Sequence, residues 1–236
     1  MISHRWDITP RQAMALQERL ARLVRQVRLS AKKPIRTVAG VDCAFAAGGK
    51  AILTAAVLCD ARTWEVLAVA TDRRRCAFPY VPGLLSFREA PSVIAAVGAL
   101  PRRPDLLMCD GQGLAHPRGL GLASHVGLHL GIPTIGVAKS RLCGQHRSVG
   151  RRRGCRSALR LESKTIGAVV RTRDGVKPLY VSVGHRIRLD EAVAWTLRAA
   201  VAARLPEPTR RAHQAVSCLK ARGELISAHR RRGPVA

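Results

Sequence analysis

Hydrophobic positions near the N-terminus recur at helical spacing. Thr9 and Pro10 supply a capping hydroxyl and a ring fixed near the helical φ, which together are a common way for a helix to begin. Apolar residues then follow every three or four positions from Ala13 to Val27. This pattern predicts an amphipathic helix that ends near Leu29, ahead of a Lys-Lys-Pro break.

The next part of the chain has the pattern of β-strands. Apolar segments at 35–45, 51–60 and 64–71 are separated by Gly-Gly and Asp-Ala-Arg breaks. These breaks are short enough for hairpins, so we predict an antiparallel meander.

Strands and helices alternate beyond residue 84, which predicts parallel strands beside the meander. The fold class is therefore α/β, with a central mixed β-sheet flanked by helices. We expect a single domain at 1–228, with an exposed Arg-rich loop at 144–156, and a basic, disordered tail at 229–236. The predicted helices cover 84–100, 120–130, 190–205 and 209–225, and the predicted strands cover 105–110, 133–137, 166–171 and 179–183.

The charge balance favours a polyanionic partner. The 236 residues include 41 lysines and arginines against 15 aspartates and glutamates, a formal net charge of +26, while the hydrophobic fraction of 47% is normal for a folded protein. Nucleic acid is the first candidate for such a surface. The basic residues comprise 34 arginines and seven lysines, so amino-acid usage is an alternative source of part of this excess.

The cysteines and the apolar segments indicate the cellular compartment of the protein. Seven scattered cysteines without a Cys-x-x-Cys pair favour reduced thiols over a disulfide framework or a zinc ribbon. The N-terminal sequence has no apolar signal-peptide region, and no stretch is apolar enough to cross a membrane. We therefore expect a cytoplasmic protein without a membrane partner.

Three carboxylates are candidates for chemistry. Asp42 lies within an apolar strand, where a carboxylate is costly unless it is paired or binds a metal. Asp110 ends another apolar strand, and Glu89 lies early in the helix after a Pro-rich loop. Acids on three elements could converge on hard cations such as Mg²⁺, which favour oxygen ligands and support phosphodiester cleavage. When each acid is considered alone, a salt bridge with an arginine is favoured over a metal-binding role.

Other motifs are weaker. The glycine-rich loop at 110–118 lacks the later acidic residue of a dinucleotide site, and the segment at 131–140 places its lysine wrongly for a P-loop. His125 and His129 are four apart, but Val126 stands where a zinc protease motif needs Glu. We interpret these histidines as structural.

A rigid loop at 79–83, Pro-Tyr-Val-Pro-Gly, presents the aromatic side chain of Tyr80. Two prolines stiffen such a loop, so Tyr80 could enter a base stack as a wedge. From the residues alone, a wedge and a tyrosine that simply packs on the domain surface are equally favoured interpretations.

Six segments of the chain together resemble the endonuclease V family (deoxyribonuclease V), repair nucleases that nick DNA near deoxyinosine. Their combination, which extends from about residue 38 to residue 213, is far more specific than any short motif. The segments are VAGVD at 38–42, PYVPGLLSFREAP at 79–91, DGQGLAHPRGLGLASHVG at 110–127, PTIGVAKSRL at 133–142, KPLYVSVGH at 177–185 and RAH at 211–213.

The resemblance implies an RNase H-like fold, a Mg²⁺ cofactor for which Mn²⁺ can substitute, and cleavage of the second phosphodiester bond 3′ to deoxyinosine. The metal-site acids of the family fall on Asp42, Glu89 and Asp110. Lys139 corresponds to the lysine near the scissile phosphate, and His213 lies close to the metal site. The domain at 1–228 is then catalytic, and we expect it to act as a monomer.

Lesion recognition is predicted from the same resemblance and from the glycines. Tyr80 matches the family's strand-separating wedge, and His116 matches a loop histidine beside the site. Because glycines let a base approach the backbone, we expect main-chain groups to read hypoxanthine. The predicted pocket residues are Gly83, Leu85, Gly111, Gly121 and His116.

Some alternatives stay open at this point. Cys43-Ala44-Phe45 departs from the small residue and tyrosine that follow the metal aspartate in many relatives, which puts local packing in doubt. The family also includes members that prefer inosine in RNA. A non-catalytic, basic nucleic-acid-binding protein and a nuclease for branched or mismatched DNA are the competing functions.

Overall fold

The computed structural model describes the backbone of residues 2–231 and the side chains of residues 2–222. A mixed sheet of eight strands, in the order β3-β2-β1-β4-β5-β8-β7-β6, is flanked by helices. The helices are α1 (Pro10–Ala21), α2 (Leu85–Gly98), α3 (Leu122–Leu130), α4 (Leu189–Ala199) and α5 (Glu207–Arg231). The strands are β1 (Thr37–Ala46), β2 (Ala51–Asp60), β3 (Val66–Arg75), β4 (Leu106–Cys109), β5 (Thr134–Ala138), β6 (Arg156–Leu161), β7 (Lys164–Val170) and β8 (Leu179–His185).

The predicted sheet architecture is confirmed. β1, β2 and β3 form the antiparallel meander. β4 pairs in parallel with β1 and with β5, so the crossovers through α2 and α3 enter the same sheet. The last three strands then extend the sheet by antiparallel pairing.

Alternate residues of β1 face two helical layers. Val38 packs in the cluster that contains α4 and α5 side chains, whereas Ala39 and Val41 pack against α2 and α3. Gly40 lies so close to α5 that a Cβ would be 2.1 Å from the carbonyl carbon of Pro208. The missing side chain therefore lets α5 lie directly on β1.

The prediction for the end of α1 is wrong. The helix ends at Ala21, and the following segment crosses to β8 and α4. There the carbonyl of Arg25 accepts from the amide of Arg186 at 2.7 Å, and the amide of Leu29 donates to the Glu191 carboxylate at 3.0 Å. These tertiary partners replace the bonds that a longer helix would have made within itself.

Other elements also differ from the sequence predictions, among them β3, which continues to Arg75 instead of ending near residue 71. Strand β6 was not expected, because its alternation of arginines with apolar residues is short and only Leu159 is fully buried. Helix α4 ends at Ala199 rather than near 205, where the amide of Ala200 bonds back into the last turn.

The C-terminal region of the structure is helical through Arg231. The tail predicted at 229–236 falls mostly at 232–236, outside the described residues, so the division into a domain at 1–228 and a tail stays a prediction. Within the described part of the chain, no helix combines the length and apolarity needed to cross a membrane.

Candidate active site

Two aspartates lie side by side where β4 ends. In the parallel pair, Val41 of β1 is opposite Cys109 of β4, and the amide of Asp110 donates to the carbonyl of Val41 at 3.2 Å. The residue after each of these two is an aspartate: Asp42 follows Val41, and Asp110 follows Cys109. Residue alternation places both carboxylates on the face of the sheet that α5 covers.

Glu89 reaches the same place from the opposite layer. It lies on α2 and is 7% exposed. Burial, followed by the negative charges of Asp42 and Asp110, raises the pKa of Glu89 to about 8. The three acids predicted from the sequence thus influence one another where β4 ends beside the middle of β1.

Two basic groups contact the aspartates. Nδ1 of His213, on α5, lies 2.6 Å from Oδ2 of Asp42. The ammonium group of Lys139, directly after β5, forms an ion pair with Asp110. One ligand atom each from Asp42, Asp110 and His213 lie within 4.8 Å of one another.

This donor set fits a hard divalent cation. Burial raises the pKa of Asp110 even though the neighbouring Lys139 acts in the opposite direction. Several carboxyl groups that are close together and largely buried repel one another when ionised, and a bound cation relieves that repulsion. Asp42 and Asp110 offer the oxygen ligands that Mg²⁺ prefers, and His213 offers a nitrogen, while Glu89 lies outside this group of three.

A polar chain behind the acids was not predicted from the sequence. Arg74 binds Asp72, which accepts a hydrogen bond from Ser92 Oγ at 2.5 Å, and Ser92 in turn accepts from Thr54 Oγ1 at 2.7 Å. Thr54 lies 3.2 Å from Sγ of Cys43, the residue after Asp42. The available signal was Thr54, a hydroxyl within the apolar run of β2. The chain thus ends on the side chain of the residue next to Asp42.

A cavity of about 190 Å³ is lined by residues that are near the acids in the chain, among them Ser86 and Gln112. The loop at 79–83 forms one wall, and Leu85 and Ser86 of α2 form another, with Ser86 one helical turn from Glu89. Four of the five predicted pocket residues line this cavity, namely Gly83, Leu85, His116 and Gly121.

Gly111 does not line this cavity; the space next to its α-carbon faces Leu122. Tyr80 is 74% exposed at the rim of the cavity. Its ring lies 5.6 Å from the guanidinium carbon of Arg88, which also lies 4.4 Å from the ring of Phe45. The tyrosine that the resemblance assigns as a wedge therefore projects into solvent and does not pack in the core.

Two of the glycines whose main-chain groups were expected to bind hypoxanthine already have hydrogen-bond partners in the protein. The carbonyl of Gly83 lies 3.0 Å from side-chain nitrogens of Gln17, His116 and Arg118. The amide of Gly121 donates to the carbonyl of Gly113, and a Cβ on Gly121 would lie 2.3 Å from the carbonyl oxygen of Gln112. These glycines shape the cavity, while its open polar groups must come from elsewhere.

The start of α2 supplies such groups. The helix begins at Leu85 without a side-chain cap. The N–H groups of Leu85 and Ser86 belong to the first turn, so they have no acceptor within the helix, and both residues line the cavity. Burial, with the nearby Arg118 charge, also lowers the pKa of His116 to about 4, so its imidazole is neutral at pH 7.

The model of the Endonuclease V family matches residues 18–214, most of the chain. The chain belongs to the endonuclease V family. Endonuclease V from Rhodospirillum centenum is 53% identical over 190 residues, which cover 79% of each chain. The enzyme class is therefore endonuclease, with the DNA-binding and DNA-repair roles of this family.

Solved structures agree with this assignment. Endonuclease V from Streptomyces avermitilis is 43% identical and superposes with a TM-score of 0.87, covering 94% of this chain and 98% of that one. Ciona intestinalis endonuclease V, in complex with a 24-mer DNA containing an inosine, is 22% identical with a TM-score of 0.76 and covers 92% and 98% of the two chains. The Ciona comparison supports the fold alone.

Proposed function

We propose that this endonuclease V is a Mg²⁺-dependent repair enzyme that recognises deoxyinosine in DNA and cuts the second phosphodiester bond 3′ to it. The observation that carries the proposal is the convergence of Asp42, Asp110 and His213 within 4.8 Å, beside buried Glu89 and the cavity. The position of the cut comes from the family resemblance. Mn²⁺ is expected to substitute for Mg²⁺.

The acids provide the negative charge that holds the ion. Asp42, Glu89 and Asp110 would bind Mg²⁺, which when bound supplies an activated water and charge stabilisation for phosphodiester hydrolysis. Lys139 keeps a cation at Asp110, where its ammonium group can also donate to a phosphate oxygen. His213 orients the Asp42 carboxylate through its 2.6 Å contact.

The cavity suits a flipped purine that presents a hydrogen-bond acceptor at position 6. Hypoxanthine presents O6 as an acceptor, which the first-turn N–H groups of Leu85 and Ser86 can bind. Adenine presents an amino group at that position and would leave those donors unpaired, at a cost of about 1–3 kcal/mol for each group. Guanine shares O6 with hypoxanthine but adds a 2-amino group, and the closely packed backbone at Gly121 leaves little space for it.

Tyr80 is proposed to fill the gap that the flipped base leaves in the duplex. Its exposure and its position at the cavity rim support this role. Unstacking a base costs a few kcal/mol, which an inserted ring can offset. The basic surface supplies sequence-independent attraction to the phosphate backbone.

The remaining parts of the proposal concern the cellular setting. We propose a monomer that acts in the cytoplasm. All seven cysteines lie in the part of the chain whose side chains are described, and they are free thiols, as expected in a reducing compartment.

The decisive experiment is strand cleavage of matched duplexes that carry one deoxyinosine, one riboinosine or neither, with Mg²⁺ and with EDTA. We expect Mg²⁺-dependent nicking of the deoxyinosine strand, with a labelled product that ends one nucleotide 3′ to the lesion. Faster cleavage at riboinosine would make the enzyme an endoribonuclease. Binding without cleavage would favour a non-catalytic protein, and preferential cutting of mismatched or branched duplexes lacking inosine would favour the third function.

A further inference from the structure

Three histidines cluster on the α3 side of the sheet, apart from the carboxylates. His125 and His129 are one turn apart on α3, and His4 comes from the segment before α1. One imidazole nitrogen from each lies within 4.8 Å of the other two. Trp6 stacks on His129 with a centroid distance of 5.0 Å and so partly covers the cluster.

The hydrogen bonds of His4 indicate which of its nitrogens presents a lone pair. Nδ1 of His4 lies 2.7 Å from the carbonyl of Arg5, and a carbonyl only accepts, so Nδ1 carries the proton. In the neutral ring, Nε2 then presents a lone pair, and this atom lies 2.8 Å from Nε2 of His125. A histidine whose other nitrogen donates to a backbone carbonyl is the usual arrangement of a metal ligand.

His129 adds an unsatisfied group. Its Nε2 is buried and has no hydrogen-bond partner among the described residues. Buried polar nitrogens without a partner are uncommon, and an unplaced ion is one of the standard explanations.

We propose that His4, His125 and His129 form a second metal site that binds Zn²⁺. Three imidazoles suit zinc and other borderline transition ions, whereas Mg²⁺ prefers the oxygens of the acid cluster. Tetrahedral ligation with Zn–N bonds of about 2.0–2.1 Å needs nitrogens roughly 3.3 Å apart. His4 and His125 therefore need to separate by about half an ångström, which the rotation of one imidazole can provide.

The site would tie the N-terminal segment to the lesion cavity. His4 would hold residues 2–8 against α3, where the amide of Ile2 already donates to the carbonyl of Leu128 at 3.2 Å. His125 Nδ1 lies 3.0 Å from Oγ of Ser86, which lines the cavity at the start of α2. Zinc bound here acts structurally, on the order and stability of α2 and α3.

The test measures zinc and not cleavage. Tag-free protein is dialysed with Zn²⁺, and its zinc content is measured by mass spectrometry. Zinc affinity is then measured by competition with a chromophoric chelator, and Co²⁺ is used as a spectroscopic probe. We expect one tightly bound Zn²⁺, an absorption band typical of low-coordinate Co²⁺, and a higher Tm with Zn²⁺.

The variants identify the ligands. His4→Gln and His129→Gln each replace a partly exposed ring, so the fold should persist, whereas the fully buried His125 is left intact. Loss of an outer-shell partner weakens metal binding by about 10–100-fold. Each of these variants loses a direct ligand, so zinc binding should weaken by more than that. His146→Gln is the matched control from outside the cluster, and D42N with D110N removes the acid cluster; both should keep the zinc.

Two results would overturn the proposal. One is the absence of stoichiometric zinc from the wild-type protein, which would leave the cluster as a hydrogen-bonded aromatic contact. The other is zinc binding that survives in His4→Gln and His129→Gln but is lost in the D42N/D110N variant, which would assign the ion to the acid cluster.

Discussion

Nδ1 of His213 lies 2.6 Å from Oδ2 of Asp42, although 171 positions separate the two residues in the chain. The contact joins α5 to β1 at the point where the acids meet. Since α5 rests on Gly40 of the same strand, a rigid packing contact sets the position of the imidazole. His213 thus contacts the Asp42 carboxylate from the solvent side, with about half of the histidine side chain exposed.

The first prediction concerns the acids. D42N and D110N should each lower inosine-dependent cleavage by about 100-fold or more, because a bound metal supplies several kcal/mol of charge stabilisation. Binding to inosine DNA should persist, since the carboxylates do not line the cavity. Single-turnover cleavage and equilibrium binding are the two measurements. D190N, at an exposed surface ion pair, is the control and should behave as wild type.

A second prediction separates His213 from the acids. His213→Asn should lower cleavage by about 10–100-fold, the usual loss when a partner that orients a ligand is removed. The variant should need more Mg²⁺ for half-maximal activity. If its Mg²⁺ dependence stays unchanged while the rate falls, His213 acts on the substrate and not through Asp42.

The third prediction uses the exposed ring of Tyr80. Tyr80→Ala should slow cleavage of duplex inosine more than cleavage of single-stranded inosine, because only the duplex loses a stacked base that must be replaced. Tyr80→Phe keeps the ring and should retain most of the activity. Equal losses on both substrates would assign Tyr80 to contact with the base itself.

The fourth prediction tests the basic loop. Arg151, Arg152 and Arg153 are all exposed, but the guanidinium of Arg153 also donates to the carbonyl of Leu197 and so supports α4. Replacing Arg151 and Arg152 by serine should weaken binding to inosine DNA and to plain DNA equally. The slope of log affinity against log salt should fall by about 0.9 for each phosphate that the variant no longer neutralises. A loss confined to inosine DNA would show that this loop reads the lesion.

The fifth prediction concerns acid stability. Burial, with the nearby charges of Arg186 and Arg25, lowers the pKa of His185 to about 4, and its Nδ1 accepts from the amide of Arg25. The unfolded side chain titrates near pH 6.5. Between pH 6.5 and 4 the unfolded chain therefore binds a proton that the folded chain excludes, so the stabilisation present above pH 6.5 is lost as the pH falls.

His185→Gln should remove that one proton from the unfolding equilibrium. The free energy of unfolding, measured with urea between pH 7.5 and 4.5, should then depend on pH less steeply, by up to about 1.4 kcal/mol for each pH unit. Comparison at pH 7.5 corrects for altered packing. A parallel pH dependence in both proteins would contradict the assignment.

Local sequence patterns determined most of the elements. Apolar runs separated by short Gly-Gly and Asp-Ala-Arg breaks predicted the meander, and a capping threonine followed by proline marked the start of α1. These signals succeed because hydrogen bonds within one element and burial of one face act over a few residues. The segment signature likewise pointed to Asp42, Glu89 and Asp110; the structure brings the two aspartates together with His213, and the buried Glu89 feels the charge of both.

The sequence by itself thus determined the family and the mixed α/β architecture, with the meander and the parallel strands beside it, while strand β6 escaped it. Only the tertiary structure decided where α1 ends, that the backbone groups of Gly83 and Gly121 already have partners, and that Gly111 lies outside the cavity. It alone brought His4 to α3, since His4 and His125 are 121 positions apart and share no local pattern. Contacts between distant segments depend on how whole elements pack, and no short window of sequence encodes that distance.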